Sequence, residues 1–262
     1  MGWFNVLVKG SASDASVGER MASAYDAAAR GDYATALDIW TTLAHAGVAR
    51  AQNNIGACFS EGLGVTRDAQ LAERWLTLAA GAGDAVGQRN LASLYFRGEG
   101  VERDNARAAA LYRAAADSGD ATAQDMLSWM LLEGEGIDLD YVQARHWALA
   151  AAEQGIASSM TRLGMIFHNA LGVERDPAQA VFWWRRAAVR GDADGQAMLG
   201  AAYHLGAGIE RDSQVAFAWL TRARAGGSPM AGQFYHAVRT TLSASEIADA
   251  EKLASEQLEI DP

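Results

Sequence analysis

Counted forward from Asp68, Asp104, Asp140, Asp176 and Asp212, the chain repeats one order of small and large apolar positions. Four residues on stands Ala72, Ala108, Ala144, Ala180 or Ala216. Seven on stands Trp75, Leu111, Trp147, Trp183 or Trp219. Eleven on stands Ala79, Ala115, Ala151, Ala187 or Ala223. Offsets of 4, 7 and 11 share one face of an α-helix. Each helix predicted this way starts at its aspartate, whose carboxylate suits the free N–H groups of a first turn. Pro177 follows Asp176 at the first helical position, where no N–H is needed. Fifteen residues after the aspartates, Gly83, Gly119, Gly155, Gly191 and Gly227 predict left-handed helix ends.

A second predicted helix precedes each aspartate. It carries Ile55, Leu91, Leu127, Leu163 and Leu199, and four residues later Phe59, Tyr95, Leu131, Phe167 and Tyr203. Between these large positions lie Gly56, Ala92, Ser128, Gly164 and Gly200. The two helices are joined by "GLGVTRD", "GEGVERD", "GEGIDLD", "ALGVERD" and "GAGIERD", whose second glycines recur every 36 residues from Gly64 to Gly208. A fixed period of this size predicts a stack of one two-helix unit. The loops lack the Lys-Ser/Thr of a phosphate loop and the acid spacing of a calcium loop. They read as linkers in which the first glycine ends one helix, the second keeps the turn tight, and the aspartate starts the next.

The pattern "AQ..LG..Y..G.GV..D...A..W...AA..G" is carried by "GQRNLASLYFRGEGVERDNARAAALYRAAADSGD" and "GQAMLGAAYHLGAGIERDSQVAFAWLTRARAGGS". It resembles the Sel-1-like repeat, a relative of the tetratricopeptide repeat. The resemblance implies an all-α fold, a right-handed α-solenoid superhelix whose first helices (A) line the concave side and whose second helices (B) lie outside. It also implies an adaptor or scaffold. The first unit, "AYDAAARGDYATALDIWTTLAHAG", has the short turn of a tetratricopeptide repeat at Gly31–Tyr33. Near the other end "GQFYHAVRTTL" has lost the loop, and Ser243 with Glu246 predicts a capping box on a C-terminal capping helix. Ala170 replaces a first loop glycine and predicts a slightly altered turn. The expected organisation is an N-terminal segment 1–16, six helix pairs (17–48, 49–84, 85–120, 121–156, 157–192, 193–228) and a degenerate half-repeat with its cap, 229–262.

Half of the 262 residues are hydrophobic and the net charge is −10, which argues against a nucleic-acid partner. The single cysteine, Cys58, excludes an internal disulfide framework and reads as a packed side chain. The opening "MGWFNVLVKG" fits neither a signal peptide nor a myristoylation site. A cytoplasmic protein is expected, with membrane contact only through Trp3, Phe4 and Leu7.

No catalytic constellation, cofactor site or metal site is predicted. None of the five histidines has a partner four residues away. His168 and His204 occupy equivalent positions 36 residues apart. The expected working surface is the A-helix groove, holding another protein or peptide. Its candidate residues are Asn53, Arg89, Ser93, Phe96, Arg97, Asp125, Trp129, Leu132, Thr161, Met165, His168, Asn169 and His204. Trp129 fits a core position as well as a contact. Alternative readings are a hydrolase for cell-wall or β-lactam substrates, for which no nucleophile–base pair is visible, and a membrane-attached assembly factor.

Overall fold

The computed structural model describes residues 14–256. These residues form fourteen α-helices and no strand. They are α1 (Asp14–Ala29), α2 (Tyr33–His45), α3 (Ala49–Glu61), α4 (Ala69–Gly81), α5 (Ala85–Arg97), α6 (Asn105–Asp117) and α7 (Ala121–Glu133). Then follow α8 (Tyr141–Glu153), α9 (Ala157–His168), α10 (Pro177–Val189), α11 (Ala193–Leu205), α12 (Ser213–Ala225), α13 (Ala231–Arg239) and α14 (Ala244–Ser255). From α3 to α12 the odd-numbered helices are the A helices and the even-numbered ones the B helices.

The loops explain why the helices start and stop where they do. Asp68, Asp104, Asp140, Asp176 and Asp212 each accept a first-turn N–H of the B helix they precede. Each also donates its own N–H to the carbonyl nine residues back, on Phe59, Tyr95, Leu131, Phe167 or Tyr203, at 2.9–3.1 Å. One residue therefore caps the B helix and pins the loop to the A helix. Gly62, Gly98, Gly134 and Gly206 take φ of +65° to +74° where their A helices end. In the fourth loop Ala170 takes φ +57°, and α9 stops at His168. The turn survives without its glycine, at a cost of about 1–2 kcal/mol for a left-handed alanine.

The second glycines serve more than turn tightness. A Cβ on Gly64 would lie 2.3 Å from Tyr33 Cβ, on Gly100 2.6 Å from Ala69 Cβ, and on Gly208 2.1 Å from the Pro177 carbonyl oxygen. Each second glycine thus rests on the first residue of the preceding B helix. The small residue of the A-helix stripe works in the same way. A Cβ on Gly164 would lie 2.2 Å from Trp184 Nε1, which donates to the Thr161 carbonyl at 3.2 Å.

The described chain falls into two compact units, one comprising residues up to 127 with 135–138, the other 128–134 with residues from 139 on. In the first unit α1 to α6 pack in sequence, and α3 also packs on α5. Gln52, Gln88 and Gln124 donate to the carbonyls of Ala44, Ala80 and Ala116, tying each A helix to the end of the preceding B helix. Leu43, Leu76 and Leu94 are among its fully buried side chains. Burial pushes the Cys58 thiol up to about 11, consistent with a packed, unreactive group.

In the second unit α8 to α12 pack in sequence, α9 also touches α11, and Gln196 repeats the tie to Ala188. Trp183 and Trp219 are buried on the B helices, as is Trp75 in the first unit. Helices α13 and α14 pack on α12 and close this core through Val238 and Ala250. The Ser243–Glu246 capping box is present at the start of α14. The fold is thus an all-α solenoid of helix pairs with a C-terminal capping helix.

Candidate functional site

Consecutive A helices of the first unit are linked near their N-termini. Arg50 of α3 pairs with Asp84, the N-cap of α5, at 2.7 Å. Arg89 of α5 pairs at 3.2 Å with Asp120, which accepts the Ala123 N–H at the start of α7. Asn90 donates to Asn53 at 2.8 Å, and Arg97 meets Glu61 at 3.4 Å. The Phe96 ring lies 5.4 Å from the Arg103 guanidinium, and the Ser93 hydroxyl meets the Tyr112 phenol. Of the expected groove residues here, Arg97 is exposed, while Arg89, Ser93, Phe96 and Asp125 are half-buried. Asn53 is buried, and its amide oxygen accepts from Asn90 of the neighbouring repeat.

The second unit holds the remaining candidates. Thr161 is buried and donates to Asp192, the N-cap of α11, at 2.7 Å. Leu132 is also buried. Thr161 and Leu132 therefore offer little exposed surface. Trp129, Met165, His168 and His204 are half-buried, and Asn169 is exposed. His168 stacks on Trp184 at 5.4 Å. Burial, then the nearby Arg211 charge, lowers the His204 pKa, which keeps its imidazole neutral at neutral pH. The Nδ1 atoms of both histidines are buried without a hydrogen-bond partner. No group of three or more His, Cys, Asp or Glu side chains placed to hold a metal occurs among the described residues. No helix among them is long and apolar enough to cross a membrane. The expected anchor residues Trp3, Phe4 and Leu7 lie outside the described residues.

Sequence reasoning passed over a polar hollow on the B-helix side of the first unit. It measures about 730 Å³ and is lined by Gln70, Glu73, Tyr95, Arg103, Asn105 and Arg107, among others. The Tyr95 hydroxyl donates to Glu73 at 2.6 Å and accepts from Arg107 at 2.9 Å. Burial and the Glu73 carboxylate push the Tyr95 phenol up to about 12. The signal available in the sequence is Tyr95 standing where the preceding repeat has Phe59, with Arg107 replacing Leu71.

The Sel1 repeat model matches residues 49–84, 85–120, 121–156, 157–192 and 193–228. Similar solved structures include a Sel1 repeat protein from Oxalobacter formigenes, 26% identical, covering 93% of this chain and 99% of that one with a TM-score of 0.81. A Sel1 repeat protein from Klebsiella pneumoniae is 21% identical over 76% of this chain and 97% of its own, with a TM-score of 0.48. A protective antigen of uropathogenic Escherichia coli displaying an SLR fold is 24% identical over 92% and 68%, with a TM-score of 0.41. No curated protein matches the chain. With five contiguous matched repeats, each carrying the glycine loop and capping aspartate described above, the chain belongs to the Sel1 repeat family.

Proposed function

We propose that this chain is a non-enzymatic adaptor that holds an extended peptide or a helix of a partner protein on its A-helix surface. Sel1 repeat proteins are generally protein–protein interaction scaffolds, and their fold is typically non-catalytic. The observation that supports the reading is the set of links between adjacent A helices: Arg50–Asp84 and Arg89–Asp120 in one unit, Thr161–Asp192 in the other. A surface fixed in this way loses little conformational freedom when a partner binds. On it stand Ser93, Phe96 and Arg97 in the first unit, and Trp129, Met165 and Asn169 in the second. Tryptophan, methionine and arginine are enriched at the centres of protein interfaces.

The test is site-specific photo-crosslinking in the native organism. A crosslinker at Arg97 or Asn169 is expected to trap one partner, whereas one at the B-helix positions Arg74 or Val189 is expected not to trap it. Trp129→Ala is expected to weaken capture of that partner without changing helicity. Crosslinks confined to the B-helix positions would refute the A-helix assignment.

A further inference from the structure

The tryptophan seven residues after the capping aspartate occurs in four repeats, and Leu111 replaces it in the fifth. The α2–α4 cleft shows what that tryptophan does. Trp75 is 4% exposed and lies edge-on to His45 of α2, with ring centroids 5.7 Å apart. One repeat on, 36 residues later, the pair becomes Leu111 and Gly81. Both rings of the pair are missing from the same cleft.

The space they would occupy is open. A hollow of about 420 Å³ lies between α4 and α6, lined by Thr77, Gly81, Leu91, Tyr95, Arg107 and Leu111, among others. A Cβ built on Gly81 would meet nothing within 4 Å. Leu91 and Leu111 make the hollow apolar. At its rim the Arg107 guanidinium sits 4.8 Å from the Tyr95 ring centroid, and the Tyr95 hydroxyl is fixed by Glu73 and Arg107. An entering ring thus meets apolar walls and a positioned cation, the surroundings that favour an aromatic face. Tyr95 and Arg107 also line the 730 Å³ hollow, where Gln70 and Asn105 offer amide donors and acceptors suited to a peptide main chain. Glu73, Glu102 and Asp104 offset Arg103 and Arg107 around that hollow, which disfavours a simple anion as the occupant.

We infer that the α4–α6 cleft recognises a tryptophan side chain of an extended partner peptide, which supplies from outside the ring that Trp75 supplies to the α2–α4 cleft. The site lies on the B-helix side and does not depend on the A-helix surface proposed above.

The test is nuclear magnetic resonance titration of the full-length, 15N-labelled protein with N-acetyl-tryptophanamide, and with N-acetyl-alaninamide as control. The tryptophan probe is expected to give saturable shifts at the Thr77, Gly81 and Leu111 amides, with a dissociation constant on the order of a millimolar, as suits so small a ligand. The control is expected to give none. Leu111→Trp refills the cleft and is expected to weaken the probe at least tenfold. Gly81→His, which restores the other ring, serves the same purpose should the first variant misfold. A blocked pentapeptide of alanines around one tryptophan is expected to bind several-fold more tightly than the single residue. Absence of saturable shifts, or shifts that persist in a folded refilled variant, would overturn the inference. Equal affinity for the pentapeptide and the single residue would overturn its peptide part.

Discussion

The α2–α4 and α4–α6 clefts are built from the same positions of successive repeats, yet one is filled and the other is hollow. In the first, Trp75 and His45 meet edge to face and Phe59 is buried. In the second, Leu111, Gly81 and Tyr95 occupy those places, with Glu73 and Arg107 gathered around the phenol. The backbone is the same in both: Asp68 and Asp104 cap α4 and α6, and each holds the carbonyl nine residues back. The difference shows which substitutions a repeat fold tolerates. Caps and glycines preserve the frame, so a smaller side chain between B helices leaves an open hollow while the helices keep their places.

The most disruptive way to probe this contrast is Trp75→Leu, which makes the first cleft resemble the second. It is expected to cost about 2–3 kcal/mol, read as a lowered denaturant midpoint with an unchanged slope. An unchanged midpoint would show that the indole is not a packing element. The reciprocal change, Leu111→Trp, is expected to stabilise by about 1 kcal/mol, as cavity-filling substitutions do. A loss of stability instead would mean that the second cleft is not preformed for a ring. Tyr95→Phe converts the polar rim to its Phe59 counterpart and is expected to cost about 1 kcal/mol, because the Glu73 and Arg107 hydrogen bonds are lost. In Phe59→Tyr the new hydroxyl has Leu37 and Leu71 at the repeat positions of Glu73 and Arg107, and the change is expected to destabilise by a similar amount.

A pH readout also separates the clefts. The Tyr95 phenol is raised from its ordinary 10.0 to about 12 in the folded chain. The folded state therefore holds this proton more tightly than the unfolded state. The associated stability is present in full below pH 10 and is lost as pH rises through about 12. Ultraviolet titration is expected to show one phenolate appearing near pH 12 that is missing in Tyr95→Phe.

The helices, loops and caps were legible because their determinants are local: an aspartate, a glycine and a stripe within one repeat. Contacts between repeats were not. The second glycines read as turn residues, but the reason for Gly100 is Ala69, 31 positions earlier. Helical phase alone places Asn53 and Thr161 on the groove. Phase does not reveal that Asn90 and Asp192 of the following repeats cover them. The departure at Leu111 was visible as a letter. Its consequence was not, because the hollow also requires Gly81 on another helix.

Because the seam glycines settle in turn against Tyr33, Ala69, Asn105, Tyr141 and Pro177, the join between repeats is indifferent to the side chain it meets. Removing or duplicating a 36-residue repeat preserves this glycine contact at the new junction. Such a chain can gain or lose repeats over evolutionary time while keeping the same glycine contact at each junction.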